Sequence, residues 1–582
     1  MPRIYIYLLF SVLIIFFTSH SEATQAKLQI TGLPEKLKID IQERLSTIIK
    51  NQMLIDIHVR SYINRTIKET LKALGYYEPK IFFTLLPPTN VRKYPLLSVK
   101  VIPGSLIKIS EAVIILRGIA RSDSDYLTLV QTGRPPIGSI LHHEDYENFK
   151  NALNNISLRK GYFSAHYNVS ELRVSITQHK AFWYIDYDSG PRYLFGPINF
   201  TGSQIQENFL HNLVPFKIGD VYSTRNLEEL TRRLSATGWF NSVSIIPNIN
   251  PIPLKNIIPL RGILTPRIKS SIEVGLGSAT NVGPHLKARW KKNLANNKGH
   301  SFHIISNISV PEKNLKWTYK IPILINPLEK YYLLQGIFKH THLNDTKSNA
   351  SSLTLSQYWD YSNGWQWAAH LHWILDNFIQ GNTINRATLI YPSLTLNRTS
   401  TCNMLMMPNW GNLQHYSVDV SRSLWGSYMN FLILQAHNTW IRTLTENHRF
   451  IARINLGWII TKQFEKIPPD MRFFAGGDHS IRGYKYKGLA PHDHTGKLTG
   501  ASKLAISSIE YQYHIMGNWW VAVFVDSGAI LLNTHQDNIH IGAGYGIRWH
   551  SPIGSIKLDF ARPIFKNNIN KIQFYISFGP EL

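Results

Sequence analysis

The chain has 582 residues, of which 17% are charged and 12% are aromatic, so it is long enough for several domains and lacks the composition of a disordered protein. Lysine and arginine total 62 against 37 aspartates and glutamates, a formal net charge of +25. In an exported protein this charge favours lipid phosphates or acidic client proteins over nucleic acid as partners, although a generally basic composition with no single target is an alternative.

Residues 1–23 have the pattern of a secretory signal peptide. Met1–Arg3 form a short region of positive charge, Ile4–Phe17 form an almost unbroken apolar run, and Ser21–Ala23 fit a small-x-small cleavage site. An uncleaved anchor is the alternative, although the apolar run is shorter than the roughly 20 residues that a spanning helix needs. Later apolar runs have the length of strands, so we expect any membrane residence to come from a β-barrel.

A repeated unit follows the signal peptide. In each copy a glycine and two aromatic residues stand where a helical pattern gives way to a strand: Leu74-Gly75-Tyr76-Tyr77, Lys160-Gly161-Tyr162-Phe163 and Thr237-Gly238-Trp239-Phe240. An upstream glycine ends a short strand in each copy, at Gly32, Gly118 and Gly202, which gives intervals of 43, 43 and 36 residues. The pattern predicts a tandem array in which each unit has the order strand, helix, helix, strand, strand.

These units resemble three POTRA domains, the periplasmic modules of outer-membrane assembly barrels, at about 26–105, 106–191 and 192–265. Three unrelated small α/β domains are the alternative, which the repeated glycine-aromatic-aromatic motif disfavours. The resemblance implies that an exposed edge strand accepts an extended client strand through main-chain hydrogen bonds.

From residue 266 to residue 582, apolar and polar residues alternate with a period of two. Trp365–Leu375 and Ile572–Phe578 are typical stretches, with one face suited to lipid and the other to a polar lumen. The pattern predicts a transmembrane antiparallel β-barrel of about sixteen strands. A soluble β-sandwich alternates in the same way but rarely runs this far without a break.

A cation between flexible glycines lies late in this half, in Ile481-Arg482-Gly483-Tyr484. An arginine inside a barrel needs carboxylates, because an unpaired buried charge costs several kcal/mol. Alternation places Glu510 and Asp526 inward on the two strands that follow. An odd-length turn through Met516-Gly517-Asn518 would pair residues whose numbers sum to 1034, which makes the two carboxylates diagonal neighbours. We hypothesise that Arg482 is held between them and braces the loop inside the barrel. A solvent-exposed arginine in a turn is the alternative.

Three glycines share one face of a later strand, namely Gly542, Gly544 and Gly546. The missing side chains leave room for a loop to lie against the wall, so we expect the loop to dock there. A glycine-kinked strand that helps to curve the barrel is the alternative.

The sequence lacks clear signs of catalysis. His492-Asp493-His494 and His142-His143-Glu144 have neither a helical metal-binding pattern nor a second cluster at fixed spacing. A nucleophile elbow and a phosphate-binding loop are missing, and the single cysteine, Cys402, excludes an intrachain disulfide. We expect no enzyme activity, metal or cofactor.

The chain from residue 26 to residue 582 resembles the BamA/TamA superfamily of POTRA-plus-barrel assembly proteins. The loop Ile481–Tyr484 matches that family's (V/I)RG(F/Y) motif, Phe524–Gly528 matches its F-x-D-x-G strand, and Gly544–Gly554 resembles the strand that follows. Three modules and the ending Gly579–Leu582 fit the TamA branch, since BamA usually carries five modules and two-partner secretion transporters usually carry two.

The resemblance implies a non-enzymatic outer-membrane insertase whose N-terminal modules lie in the periplasm. Its first and last barrel strands would form a lateral seam that templates unfolded outer-membrane or autotransporter clients. The seam residues are Ile272, Val274, Leu276, Phe574, Ile576 and Phe578. The implied partners are a TamB-like inner-membrane-anchored protein, the clients and outer-membrane lipid. A two-partner-secretion-type transport channel and a periplasm-spanning lipid transport component remain as alternatives.

Overall fold

The computed structural model describes residues 27–46, 57–88, 95–249, 256–279, 283–361, 363–402, 408–532, 539–551, 554–564 and 572–579. The predicted signal peptide and the side chain of Phe578 lie outside the described residues. In these ranges no helix combines the length and the apolar character that crossing a membrane requires.

The first half contains three units, each with three strands and two helices in the described residues. The elements are β1 (Lys27–Thr31), α1 (Glu35–Arg44), α2 (Ile57–Ala73), β2 (Lys80–Leu86), β3 (Leu96–Ile102), β4 (Lys108–Arg117), α3 (Ser124–Gly133), α4 (His143–Lys160), β5 (His166–Ser175), β6 (Lys180–Asp188), β7 (Leu194–Thr201), α5 (Glu207–His211), α6 (Thr224–Ala236), β8 (Phe240–Pro247) and β9 (Ile257–Pro266). The sheet orders are β1-β3-β2, β4-β6-β5 and β7-β9-β8. The predicted order strand, helix, helix, strand, strand is confirmed in every unit.

Periodicity explains the cores of the first two units. Helix α2 buries Ile63, Ile67 and Leu71, which recur at the i, i+4 and i+8 positions of one helical face. Strand β6 buries alternate residues, including Trp183 and Ile185, as expected for a sheet with one face covered by helices.

The first glycine-aromatic-aromatic motif joins the first unit to the second. Gly75 has φ +91°, and its carbonyl accepts a hydrogen bond from the N–H of Ile107 at 3.0 Å. The Ile107 carbonyl in turn accepts from the N–H of Leu141 at 3.0 Å. The Tyr77 hydroxyl lies 2.6 Å from Nε2 of His143, at the start of α4. We call this arrangement the first joint.

The second motif repeats the arrangement between the second and third units. Gly161 has φ +81°, its carbonyl accepts from the N–H of Tyr193 at 3.0 Å, and the Tyr193 carbonyl accepts from the N–H of Tyr222 at 3.0 Å. The ring of Phe163 packs edge-on against that of Tyr222, with centroids 4.8 Å apart. We call this arrangement the second joint.

The second half contains sixteen strands within the described residues, all in one antiparallel sheet whose order follows the sequence. The strands are β10 (Ser270–Ala279), β11 (Gly283–Lys292), β12 (Ser301–Ser309), β13 (Glu312–Pro322), β14 (Lys330–Leu343), β15 (Thr346–Asp360), β16 (Trp365–Gln380), β17 (Thr383–Cys402), β18 (Trp410–Ser421), β19 (Phe431–Thr445), β20 (His448–Ile460), β21 (Lys503–Met516), β22 (Trp519–Leu531), β23 (Ile539–Ser551), β24 (Gly554–Pro563) and β25 (Gln573–Gly579). The number of strands agrees with the prediction.

The third motif contacts the turn between β11 and β12. Trp239 donates from Nε1 to the carbonyl of Gly299 at 3.1 Å, and a Cβ on Gly299 would overlap the Trp239 ring. The N–H of Gln206 donates to the carbonyl of Asn297 at 2.9 Å. This glycine-aromatic pair therefore ties part of the third unit to the first turns of the sheet.

The hairpin β21–β22 has the predicted register, with Glu510 opposite Phe524. The predicted three-residue turn is wrong in detail. Met516 pairs with Trp519, and a register shift lies between His514 and Met516. A two-residue turn and a one-residue bulge together preserve the same facing of side chains as a three-residue turn.

The two faces of this hairpin differ as the alternation predicts. Ile509, Val523 and Val525 are 64%, 50% and 51% exposed on what we call the outer face, whereas Glu510 and Asp526 are 1% and 0% exposed on the inner face. The connection between β20 and β21, residues 461–502, packs its apolar side chains against the inner face.

Candidate functional site

The residues Ile481–Tyr484, which we call the loop tip, lie in the connection 461–502. Gly483 has φ +97°, a left-handed conformation that glycine adopts without steric cost. A Cβ at this position would come within 2.7 Å of the carbonyl carbon of Arg562 on β24. The glycine therefore allows the loop tip to approach the backbone of the sheet.

The structure brings Arg482, Glu510 and Asp526 together. Arg482 is 1% exposed, and its Nε and Nη2 donate to the two oxygens of Asp526 at 2.8 and 2.9 Å. Its main-chain N–H also donates to Asp526, at 3.0 Å, and Nη1 donates to Glu510 at 2.7 Å. The two-pronged contact with Asp526 fixes the orientation of the guanidinium as well as its position.

Further charged groups extend this contact. Arg548 donates to Glu510 at 2.9 and 3.1 Å and to Asp559 at 2.6 Å. Arg482 lies 3.5 Å from Asp559, and Arg453 lies 3.6 Å from Glu510. Three arginines and three carboxylates of the described chain thus form what we call the charge cluster: Arg453, Arg482, Arg548, Glu510, Asp526 and Asp559.

An aromatic ring supports the guanidinium of Arg482. Its Cζ lies 3.3 Å from the ring centroid of Phe524. Phe524 is 3% exposed and lies on β22, two residues before Asp526 and opposite Glu510 on β21. A buried cation over an aromatic face gains about 2 kcal/mol when both are desolvated. The arginine is therefore enclosed by charge at its edges and by a ring beneath it.

The charge cluster suits immobilisation better than proton transfer. Both oxygens of Asp526 accept hydrogen bonds from Arg482, and both oxygens of Glu510 accept from arginine side chains. Removing one partner from a buried pair typically costs about 3–5 kcal/mol, because the other charge is left without compensation. Detaching the loop tip from the sheet therefore requires a large free energy.

The three glycines of β23 have different neighbours, which corrects the expectation that all of them make room for the loop. A Cβ on Gly542 would overlap the carbonyl oxygen of Arg482. A Cβ on Gly544 would instead overlap the carbonyl oxygen of Phe560 on β24 and meet the Phe524 ring, and one on Gly546 would overlap the carboxylate of Asp559. The first glycine admits the loop tip, whereas the other two admit the ring and the ion pair beneath it.

The predicted seam residues lie on the terminal strands of the sheet. Ile272, Val274 and Leu276 on β10 are 75%, 68% and 85% exposed, and Phe574 and Ile576 on β25 are 41% and 44% exposed. Their side chains point outward and do not contribute to the charge cluster, although Phe574 and Ile576 flank Tyr575, which pairs with Asp559 across the ladder.

Besides Arg453 on β20, sequence reasoning missed three residues of this site. Arg548 shares its face with the glycines of β23, since its number has the same parity, and Asp559 alternates with the outward residues of β24. Tyr575 alternates in the same way on β25, and its hydroxyl contacts the loop tip. Parity could have indicated that all three face inward, but not which neighbours they meet.

The two histidine-containing motifs do not assemble a metal site. Within the described ranges, no group of three or more histidine, cysteine, aspartate or glutamate side chains is arranged to hold an ion. His143 instead belongs to the first joint, and Asp493 accepts from main-chain N–H groups of its own turn, at Thr495 and Lys497.

Three family models match the chain. The Omp85 superfamily domain matches residues 306–581, a POTRA model described as a surface antigen variable number repeat matches residues 193–261, and the model for POTRA domain 1 of TamA matches residues 27–103.

Modules of α/β structure followed by a sixteen-stranded antiparallel sheet with an inward-braced loop define an outer-membrane β-barrel protein with periplasmic POTRA domains. The chain belongs to the Omp85 superfamily, which includes BamA and TamA, and the match of its first module supports TamA within it.

Individual proteins and solved structures are similar to this chain at low identity. Outer membrane protein assembly factor BamA of Nitratidesulfovibrio vulgaris is 27% identical over 128 residues, which are 21% of this chain and only 16% of that protein. The crystal structure of BamA from Haemophilus ducreyi lacking POTRA domains 1–3 is 16% identical, with a TM-score of 0.67 over 81% of this chain and 99% of that one. CdiB from Acinetobacter baumannii has a TM-score of 0.48 at 12% identity, over 82% and 89% of the two chains.

Proposed function

We propose that this protein is an outer-membrane insertase that assembles β-barrel or autotransporter clients through a lateral seam and works with a TamB-like partner. The seam lies between β10 and β25, and no step of the process requires enzymatic chemistry. The match of the first module to the TamA model supports the choice of partner.

The position of β10 and β25 at the two ends of the sheet order carries the proposal. They have 10 and 7 residues, whereas β17 in the middle of the sheet has 20. A junction between two short strands has fewer main-chain hydrogen bonds to break than any junction between long ones. Strand length alone does not separate this junction from that between β24 and β25, which also have 10 and 7 residues. The expectation that the barrel opens between β10 and β25 therefore rests on their terminal positions in the sheet order.

Insertion at such a junction needs no external energy source. Main-chain N–H and C=O groups exposed to lipid each cost several kcal/mol. A client strand that pairs with an opened edge satisfies its own groups and those of the edge together. Templating thus stabilises both partners and drives the client into the membrane.

The charge cluster serves this process as an internal brace. It fixes the loop tip to β21, β22 and β24 through Glu510, Asp526 and Asp559. A wall that opens at one junction must keep its shape elsewhere, and ion pairs across several consecutive strands resist their separation. We therefore assign Arg482, Gly483, Tyr484, Glu510 and Asp526 to the brace.

A disulfide lock tests the seam. In a Cys402→Ser background, paired cysteines would be scanned along 270–276 and 573–577, and client assembly measured with and without reductant. We expect cross-linked pairs to lose assembly and reductant to restore it. A control pair, Leu558→Cys with Ile576→Cys, fixes β25 to its ladder partner β24 and should leave assembly intact. Normal client assembly in a fully cross-linked seam would refute the proposal.

Parallel assays separate this function from its alternatives. Depleted cells would be measured for barrel-protein assembly, for lipid distribution between the membranes and for release of secreted proteins. The proposal requires that assembly fails first and is restored by wild-type protein but not by the locked seam. A primary defect in lipid distribution or in secretion would favour a lipid transport component or a transport channel instead.

A further inference from the structure

Tyr575 lies on the last strand, β25, and its side chain points to the inner face. It is 3% exposed, whereas its neighbours Phe574 and Ile576 are 41% and 44% exposed on the outer face. A tyrosine buried on a terminal strand needs a partner for its hydroxyl.

The Tyr575 hydroxyl finds two partners in the loop tip. It accepts a hydrogen bond from the N–H of Gly483 at 3.0 Å and donates one to the carbonyl of Tyr484 at 2.7 Å. The two main-chain groups belong to consecutive residues, so the hydroxyl is fixed in both of its roles. Without this hydroxyl the buried Gly483 N–H would lose its partner, whereas the Tyr484 carbonyl would keep the hydrogen bond that it accepts from the N–H of Gly477 at 3.2 Å.

The ring of Tyr575 belongs to the same inner layer as the charge cluster. It forms a small buried cluster with Phe524 and Ala561, and Phe524 is the ring beneath the Arg482 guanidinium. Tyr575 also pairs across the ladder with Asp559. Tyr575 therefore connects β25 directly to the loop tip through its hydroxyl and to the ring beneath Arg482 through its own ring.

We propose that Tyr575 is a positioning residue that couples the loop tip to the seam. β25 can separate from the barrel only if the Tyr575 hydroxyl breaks its hydrogen bonds to Gly483 and Tyr484. The position of the loop tip therefore controls how freely β25 moves. This inference rests on the proposed function, because it assigns the control of that same seam. The loop thus acts as a latch on the strand that would accept the client.

Tyr575→Phe tests the latch because it removes the hydroxyl and keeps the ring. Hydrogen exchange of 573–579 would be measured in the full-length protein in lipid nanodiscs. Loss of two buried hydrogen bonds should accelerate exchange in this strand by roughly tenfold or more, with unchanged heat-modifiable gel mobility. The matched control is Tyr545→Phe, which removes a hydroxyl from a side chain of β23 that is 61% exposed on the outer face. It should leave 573–579 unchanged.

Equal exchange of 573–579 in Tyr575→Phe and wild type, or equal acceleration in both variants, would overturn the latch. If Tyr575→Phe does not fold, the wild-type protein provides the test. The amide of Gly483 and those of 573–579 should then become exchangeable in one correlated opening, and independent opening would contradict the proposal. Faster exchange with unchanged client assembly would leave the latch standing and count against the seam as the route of insertion.

Discussion

The charge cluster in the barrel and the joints between the POTRA domains hold segments of chain in place by different means. Both use glycines with positive φ. The missing side chains of Gly483 and Gly75 let two backbones meet, and that of Gly161 leaves room for the side chain of Tyr222. The charge cluster then adds buried ions, whereas the joints add main-chain hydrogen bonds and aromatic rings. A buried ion that loses its partner costs several kcal/mol of free energy, whereas packed aromatic rings can shift and repack. We therefore expect the loop tip in the barrel to resist displacement more strongly than the junctions between the POTRA domains.

The largest effect should come from removing the central cation of the charge cluster. Arg482→Ala leaves Glu510 and Asp526 buried with one arginine fewer, at a cost of about 3–5 kcal/mol. We expect a lower unfolding temperature in heat-modifiability gels and rapid proteolysis of 461–502. Lys485→Ala is the control, since Lys485 lies exposed in the same loop. If both variants unfold at the wild-type temperature, the charge cluster is not what holds the loop.

A methyl group at Gly542 should displace the same loop without changing any charge. It would overlap the carbonyl oxygen of Arg482, and overpacking of this kind typically costs about 1–3 kcal/mol. Limited proteolysis of Gly542→Ala should cut the loop faster. Gly275→Ala, on β10, is the matched control, because no described atom lies within 4 Å of its added Cβ. Equal proteolysis of the two variants would show that β23 does not receive the loop tip.

A substitution in the second joint should have a smaller effect than one in the charge cluster. Gly161→Ala places a Cβ 2.7 Å from the Tyr222 ring, in a conformation that costs an L-residue about 1–2 kcal/mol. Spin labels at the exposed positions Glu147 and Arg225 should report a broader distance distribution.

Gly219→Ala separates strain from contact in that experiment. Gly219 has φ +93°, and its added Cβ meets no described atom within 4 Å. It shares the backbone strain of Gly161→Ala without the clash. A distance distribution as broad as that of Gly161→Ala would mean that strain alone, and not the packing of the joint, sets the angle between the domains.

The smallest effect should be a pH dependence of the first joint. Burial lowers the pKa of His143 below its ordinary value, nearby Lys72 lowers it further, and Glu147 opposes them. The neutral ring is therefore the form that fits the joint. Stability is fully present above the ordinary imidazole pKa of about 6.5 and is lost as the pH falls through the lowered value.

Hydrogen exchange around Gly75 and Ile107 at pH 8 and pH 5.5, corrected for intrinsic rates, would measure this loss. His143→Phe should abolish the pH dependence, because it keeps a ring beside Tyr77 and removes the proton site. His142→Phe should preserve it. A dependence that survives His143→Phe would assign the effect to another group.

Local patterns predicted much of this structure. The glycine-aromatic-aromatic motifs predicted where each helix ends and a strand follows, because glycine adopts the left-handed conformation at that position without steric cost. Alternation identified the inward residues Glu510 and Asp526, since facing in a strand depends on parity alone. Contacts between distant strands were out of reach. The partners of Arg548, Asp559 and Tyr575 depend on registers that long-range pairing sets, and parity gives no information about them.

The two joints have one further consequence. At each, the motif that ends a domain presents a carbonyl to the N–H of a linker residue, and that residue presents its own carbonyl to an N–H of the following domain. The connector is thus held on both sides by main-chain hydrogen bonds, to which the side chains of each joint add further contacts. Domains joined in this way can be duplicated or lost as whole cassettes, so the length of the periplasmic arm can change while every remaining junction stays the same.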